Sequence, residues 1–274
     1  NEDEMTSGPR TWPALLAALV LLPWLLGGCS TARTVDYPQA DLVRAVAEVP
    51  DIERLDVGII LFDPGTSADS LADEKKLIFP EVRQAEARYM PYQLKTTLES
   101  SGYWGSVWVV PQRSDAVDLT VTGRIDLSNG LDVSVHIGAW DATGREWLNK
   151  GYAVRIPEKA YSQYREPGQD PYQVLYNQIA NDLLAVRRKM SAAELRTLRN
   201  VAELRYGAQL VPEAFAGLVE QDRAGIYKLR RLPAEDDPMV SRMQAGRERE
   251  YALVDTLNEY YANLDDEINK PYED

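Results

Sequence analysis

Reactive side chains are scarce in this chain, and the scarcity decides most of the chemistry open to it. Among 274 residues there is one histidine, His136, and one cysteine, Cys29. A zinc site of the His/Cys kind needs about four such ligands, and a Ser-His-Asp arrangement would have to use His136. His136 lies in an alternating run whose apolar side is Val133, Val135 and Ile137, so it belongs to the opposite face with Asp132 and Ser134. No spacing places an orienting acid or a nucleophile beside it, and it is read as a polar-face strand residue without a chemical role. The acidic groups Asp236-Asp237 and Asp265-Asp266-Glu267 lack the alternating ligands and central glycine of a calcium loop. A capped helix start accounts for the first and a solvated helical face for the second. No metal site is expected.

Gly123, Gly130, Gly138 and Gly144 are scattered, without the spacing of a phosphate-binding loop. Trp104, Trp108, Trp140 and Trp147 fall in one region. They are either core and hairpin packing or an aromatic platform for a glycan or peptide, and packing is favoured. A glycan-acting enzyme would use two carboxylates, yet nothing selects a pair among 43 acids. The chain is therefore expected not to be an enzyme. Its net charge of -13 repels phosphate backbones, which argues against nucleic acid as a partner.

Cys29 takes its meaning from its neighbours. Residues 12–26 (WPALLAALVLLPWLL) are a 15-residue apolar run preceded by Arg10 and followed by Gly27-Gly28-Cys29. A spanning helix needs about 20 apolar residues, and Pro23 would interrupt this one. A base, a short apolar core and small residues at the cut describe a secretory signal over residues 1–28, with Met5 as the true start. Leu26-Gly27-Gly28-Cys29 resembles the bacterial lipobox. That resemblance implies a diacylglyceryl group on the Cys29 sulfur and an acyl chain on its new amine, with no dissociable cofactor. Two or more chains, at roughly 0.8 kcal/mol per buried CH₂, anchor stably. Ser30, where an inner-membrane retention signal would have Asp, favours the periplasmic face of the outer membrane of a Gram-negative bacterium. Loss of three acids and Arg10 with the signal takes the charge from -13 to -11.

The body is expected to be α/β (α+β), a two-layer sheet-and-helix domain followed by a helical C-terminal region. After a linker over residues 29–50, with a short helix over 41–49, the α/β part covers 51–157. Leu55 to Phe62 is a near-continuous apolar run and predicts a buried strand. A helix follows over 81–101, with Pro91 kinking it or starting a second helix and Gly102 as its C′ residue. Four more strands follow at 106–110, 117–125, about 133–139 and 146–156, giving the order β-α-β-β-β-β. Over 158–274 the strand signals cease. Asp170-Pro171 predicts a helix start, Ser191 with Glu194 a capping box, residues 212–223 a short helix, and Asp237-Pro238 the longest helix. Whether these helices stand apart as a second unit or pack on the sheet is left open by their apolar faces.

In that last helix Val254, Leu257, Tyr261, Leu264 and Ile268 are spaced 3, 4, 3 and 4 apart, a coiled-coil type seam. Tyr251, Leu253 and Tyr260 widen it. Packing against the helices opening at Asp170 and Ser191 is one reading; a partner-binding helix, through Val254, Leu257, Tyr261 and Leu264, is the other.

The α/β part also resembles a group of envelope domains. A buried strand, a helix ending LESSGYW, then SVWVVP and an alternating strand, with Leu98, Gly102, Val107 and Pro111, are similar to the N-terminal domain of TolB and to CsgG-type and LpoB-type lipoproteins. The resemblance covers about a third of the chain. It implies a non-catalytic adaptor or assembly role in the cell envelope with an unidentified envelope protein as partner, and it leaves self-association open. An accessory lipoprotein of a lipid or polymer transport system is the alternative, ahead of a carboxylate-based glycan-acting enzyme.

Overall fold

The computed structural model describes residues 40–66, 79–156, 170–234 and 236–268, with side chains of the final helix up to Tyr260. Strand β1 (Val57–Ile60) is followed by helix α1 (Pro80–Ser101) and β2 (Val107–Val110), which pairs with β1 in parallel. Three long strands follow, β3 (Leu119–Ser128), β4 (Asp132–Asp141) and β5 (Glu146–Arg155). The sheet runs β2-β1-β3-β4-β5, with β1 parallel to β3 and the last three antiparallel. This is the element order that alternation in the sequence predicts. A parallel pair needs a crossover, and α1 supplies it between β1 and β2.

Helix α1 is continuous through Pro91, which is buried. A proline leaves the carbonyl four residues earlier without its helical partner. Here that carbonyl, on Ala87, accepts the N–H of Phe62 at the end of β1 instead, 3.0 Å away. Gly102 ends the helix at φ 75, a left-handed conformation that other residues adopt at a cost.

One face of the sheet carries Val57, Ile59, Leu119, Val121, Val133, Val135 and Ile137, all buried. Helix α1 covers it together with α2 (Gln173–Arg187), whose Leu175, Ile179 and Leu183 enter the same core. The first helix beyond residue 157 therefore packs on the sheet and shares its core. Helix α3 (Ala192–Leu210) begins at a complete capping box, with the Ser191 hydroxyl and the Glu194 carboxylate each bonding the other's backbone N–H. It contributes Leu195, Leu198 and Ala202 to the main core and Leu204 and Tyr206 to a second cluster with Phe215, Leu218 and Met243.

Four expectations are corrected. Residues 41–49 form no helix; they run as a strap across α1 and α2. The Asn181 side chain accepts the Val43 N–H and donates to the Asp41 carbonyl, Asn177 donates to the Ala40 carbonyl, and the Ala45 N–H reaches the Ser101 carbonyl. Tertiary partners thus take the backbone groups that a local helix would have used. The helix expected over 212–223 is one turn only, α4 (Pro212–Phe215). It is followed by a small hairpin, β6 (Val219–Gln221) and β7 (Tyr227–Leu229), so strands do not cease after Ile156. The helix expected at Asp170-Pro171 begins later, at Gln173; the Asp170 carboxylate accepts the Tyr172 N–H at 2.6 Å and shapes the turn before it. The last helix, α5 (Pro238–Ile268), starts where Asp237 accepts the Met239 N–H.

Candidate functional site

Helix α5 docks on β2, the edge strand of the sheet, on the face away from α1 and α2. Tyr251 stacks on Trp108 with centroids 4.0 Å apart, and Asp255 accepts the Trp108 indole N–H at 2.6 Å. The Asn258 side chain accepts the Val109 N–H at 3.0 Å and donates to the Val109 carbonyl at 3.1 Å. An edge strand presents unpaired backbone groups, and this amide fills a strand's place at one residue of the edge. Val254 is half-buried against Trp108, Val110 and Val117. These contacts use one side of the helix. The other side exposes Leu253 at 61%, Leu257 at 44% and Tyr260 at 63%, spaced 4 and 3 and hence on one stripe.

A buried charge cluster fixes α3 and α5 to the end of the sheet where β1 and β3 begin. Asp118 is fully buried; one carboxylate oxygen accepts the Asp56 N–H at 2.9 Å and lies 3.9 Å from Arg199 of α3. Its burial, reinforced by the neighbouring Asp56 charge, pushes its carboxyl up to about 6, against the pull of the Asp56 N–H, Arg247 and Arg199. Arg247 of α5 lies 3.6 Å from Asp56 and donates to the Ala116 carbonyl, which also accepts the Tyr251 hydroxyl.

A concavity of about 500 Å³ is bounded by four separate stretches of chain. The benzo ring of Trp140 on β4 rests against Gly138, where an added Cβ would come within 2.3 Å of the indole. Arg205 of α3 holds the opposite wall together. Its guanidinium donates to the Ala142 carbonyl at 2.6 Å, pairs with Asp115, and stacks 4.1 Å over the Tyr227 ring. Gln209 adds a second donor to Asp115 at 3.1 Å. The β4–β5 turn is held by Asp141, whose carboxylate accepts Thr143 N–H, Thr143 hydroxyl, Arg145 N–H and Trp147 indole N–H. The Tyr227 N–H then donates to the Thr143 carbonyl at 2.8 Å and docks the small hairpin on that turn. Arg113 and Gln221 complete the rim.

No protein-family model matches this chain, and no curated protein does. Among solved structures, a PelC variant dodecamer from Paraburkholderia phytofirmans is similar over 59% of this chain and 95% of its own, at 13% identity and a TM-score of 0.25. A Xanthomonas campestris protein of the DUF330 family is similar over 58% and 93%, at 9% identity and a TM-score of 0.24. Likeness at that level carries no functional argument.

The sequence-predicted residues scatter across the molecule. Leu26, Gly27, Gly28 and Cys29 lie outside the described residues, as do the side chains of Tyr261 and Leu264. Of the seam on α5, Val254 is half-buried against the sheet and Leu257 is exposed, so the sheet covers only part of it. His136 points to the face opposite the core, with its Nε2 2.7 Å from the Asn149 side-chain oxygen. Trp104, Trp108 and Trp147 are buried, whereas Trp140 is half-exposed in the cleft. Sequence reasoning missed Arg205, Asp115, Tyr227 and Asn258. Among the described residues no helix is long and apolar enough to cross a membrane, and no three acidic, His or Cys side chains converge as a metal site.

Proposed function

We propose that the chain is an outer-membrane lipoprotein, anchored through Cys29 at the periplasmic face, whose body serves as a non-catalytic adaptor for another envelope protein. The lipobox supports the address. The observation that carries the adaptor role is the stripe of Leu253, Leu257 and Tyr260 on a helix whose opposite side is already engaged by the sheet. Exposed apolar side chains in register on a rigid element are what a partner helix or groove buries. Eleven residues from Cys29 to Ala40 reach at most about 40 Å, so the partner would lie within a few nanometres of the membrane.

Photo-crosslinking in cells tests both parts. A crosslinker at Leu257 should capture an envelope protein, one at Val254 should not, and Cys29→Ala should abolish both fatty-acid labelling and the capture. Equal capture from the two positions, or labelling that survives Cys29→Ala, would refute the proposal.

A further inference from the structure

We infer that the cleft under Trp140 is a binding site for a glycan segment that carries carboxylates. This does not depend on the adaptor reading, because α5 contributes no residue to the cleft. Its volume of about 500 Å³ falls within the range of ligand sites, roughly 300–1,000 Å³.

The chemistry of the lining selects the ligand. Sugars present a face of C–H groups and a rim of hydroxyls that both donate and accept. Trp140 offers a half-exposed ring that approaches the backbone closely at Gly138, and its indole N–H has no partner among the described residues. Gln209 and Gln221 each spend one N–H internally, on Asp115 and on the Gly225 carbonyl. Each keeps a carbonyl and a second N–H, the paired donor and acceptor that vicinal hydroxyls require.

Charge narrows the class further. Asp115 is neutralised by Arg205, leaving Arg113 at the rim with no ion pair among the described residues. An unspent guanidinium in a chain of net charge -13 makes this a local positive spot on an acidic surface, and a guanidinium grips a carboxylate with two parallel bonds. A uronic-acid unit would meet Trp140 with its ring face and Arg113 with its carboxylate. The site is also rigid before any ligand arrives, since Arg205 ties α3, the β4–β5 turn, Asp115 and the hairpin into one wall.

Isothermal titration calorimetry of the full chain with tetragalacturonate, and with cellotetraose as the neutral counterpart, tests the inference. Tetragalacturonate is expected to bind saturably, at least tenfold tighter than cellotetraose. Trp140→Ala should weaken it by at least tenfold, Trp140→Phe by no more than about threefold, and Arg113→Gln should remove the preference over cellotetraose. Thermal melts would verify that each variant folds. Absence of saturable tetragalacturonate binding, or binding indifferent to Trp140→Ala, overturns the site; equal affinity for the two tetramers overturns the carboxylate assignment.

Discussion

Replacing Asn258 by alanine isolates what holds α5 to the sheet. The side chain is 7% exposed and makes two hydrogen bonds with the Val109 backbone, at 3.0 and 3.1 Å. Alanine would leave the Val109 N–H and carbonyl without partners under the helix. A buried orphan of this kind costs about 1–3 kcal/mol. Because β2 is an edge strand, water can reach both groups once the helix lifts slightly, so the low end applies to each. The sum is roughly 2–3 kcal/mol, and at 1.36 kcal/mol per tenfold this is on the order of 30- to 150-fold in the opening equilibrium of α5. Amide exchange followed by NMR reads that quantity directly. The Val109 N–H, protected through Asn258, should exchange at least 30-fold faster in Asn258→Ala. The Val57 N–H, held by the Ser106 carbonyl inside the sheet, should change little. Asn258→Asp should be worse than alanine, since a carboxylate oxygen would then face the Val109 carbonyl. A rise of less than about threefold at Val109 in the alanine variant would refute the idea that this amide seals the edge.

Two further outcomes follow from the same physics. Asp118 keeps its proton up to about 6 when folded, against an ordinary 3.8, so folding takes up a proton between those values and stability from this group falls as pH rises through them, by at most about 3 kcal/mol. Urea unfolding at pH 4 and pH 7.5 should show that loss in the natural chain and lose it in Asp118→Asn, whose amide oxygen still accepts the Asp56 N–H; equal pH dependence in both would count against it. Ser191→Ala removes the reciprocal capping bonds of α3 and should lower stability by about 1 kcal/mol in the same assay, with no change meaning that the helix start is held by its core contacts instead.

What the sequence revealed depended on whether a local period existed. Alternation over ten-residue strands exposed β3, β4 and β5, and the Ser191–Glu194 pair marked a helix start, because both signals are written within a few residues. The hairpin β6–β7 has three-residue strands, too short for any period. Its signal was Asp222 with Gly225, where φ is 84 and the Asp222 carboxylate accepts the Ala224 and Ile226 N–H groups. On α5, hydropathy alone does not single out the side that meets the sheet, because apolar residues occur on both sides and Asn258, which bonds the edge strand's backbone, is polar. The cleft was beyond reach for a different reason. Asp115, Trp140, Arg205 and Tyr227 come from segments brought together only by the packing of α3 and the hairpin against the β4–β5 turn.

The strap at residues 40–45 makes the body a mechanical element. Any pull transmitted from upstream arrives at Ala40 and meets Asn177 first, then Asn181 at the Asp41 carbonyl and Val43 N–H, then Ser101. Tension along the strap loads these bonds together in shear, whereas tension away from the surface peels them one at a time. Both asparagines stand on α2, whose Leu175, Ile179 and Leu183 are rooted in the main core. Lateral load is thus carried through α2 into the main core, while an upward pull breaks the strap's bonds in turn and also draws Leu42 from its place against that core.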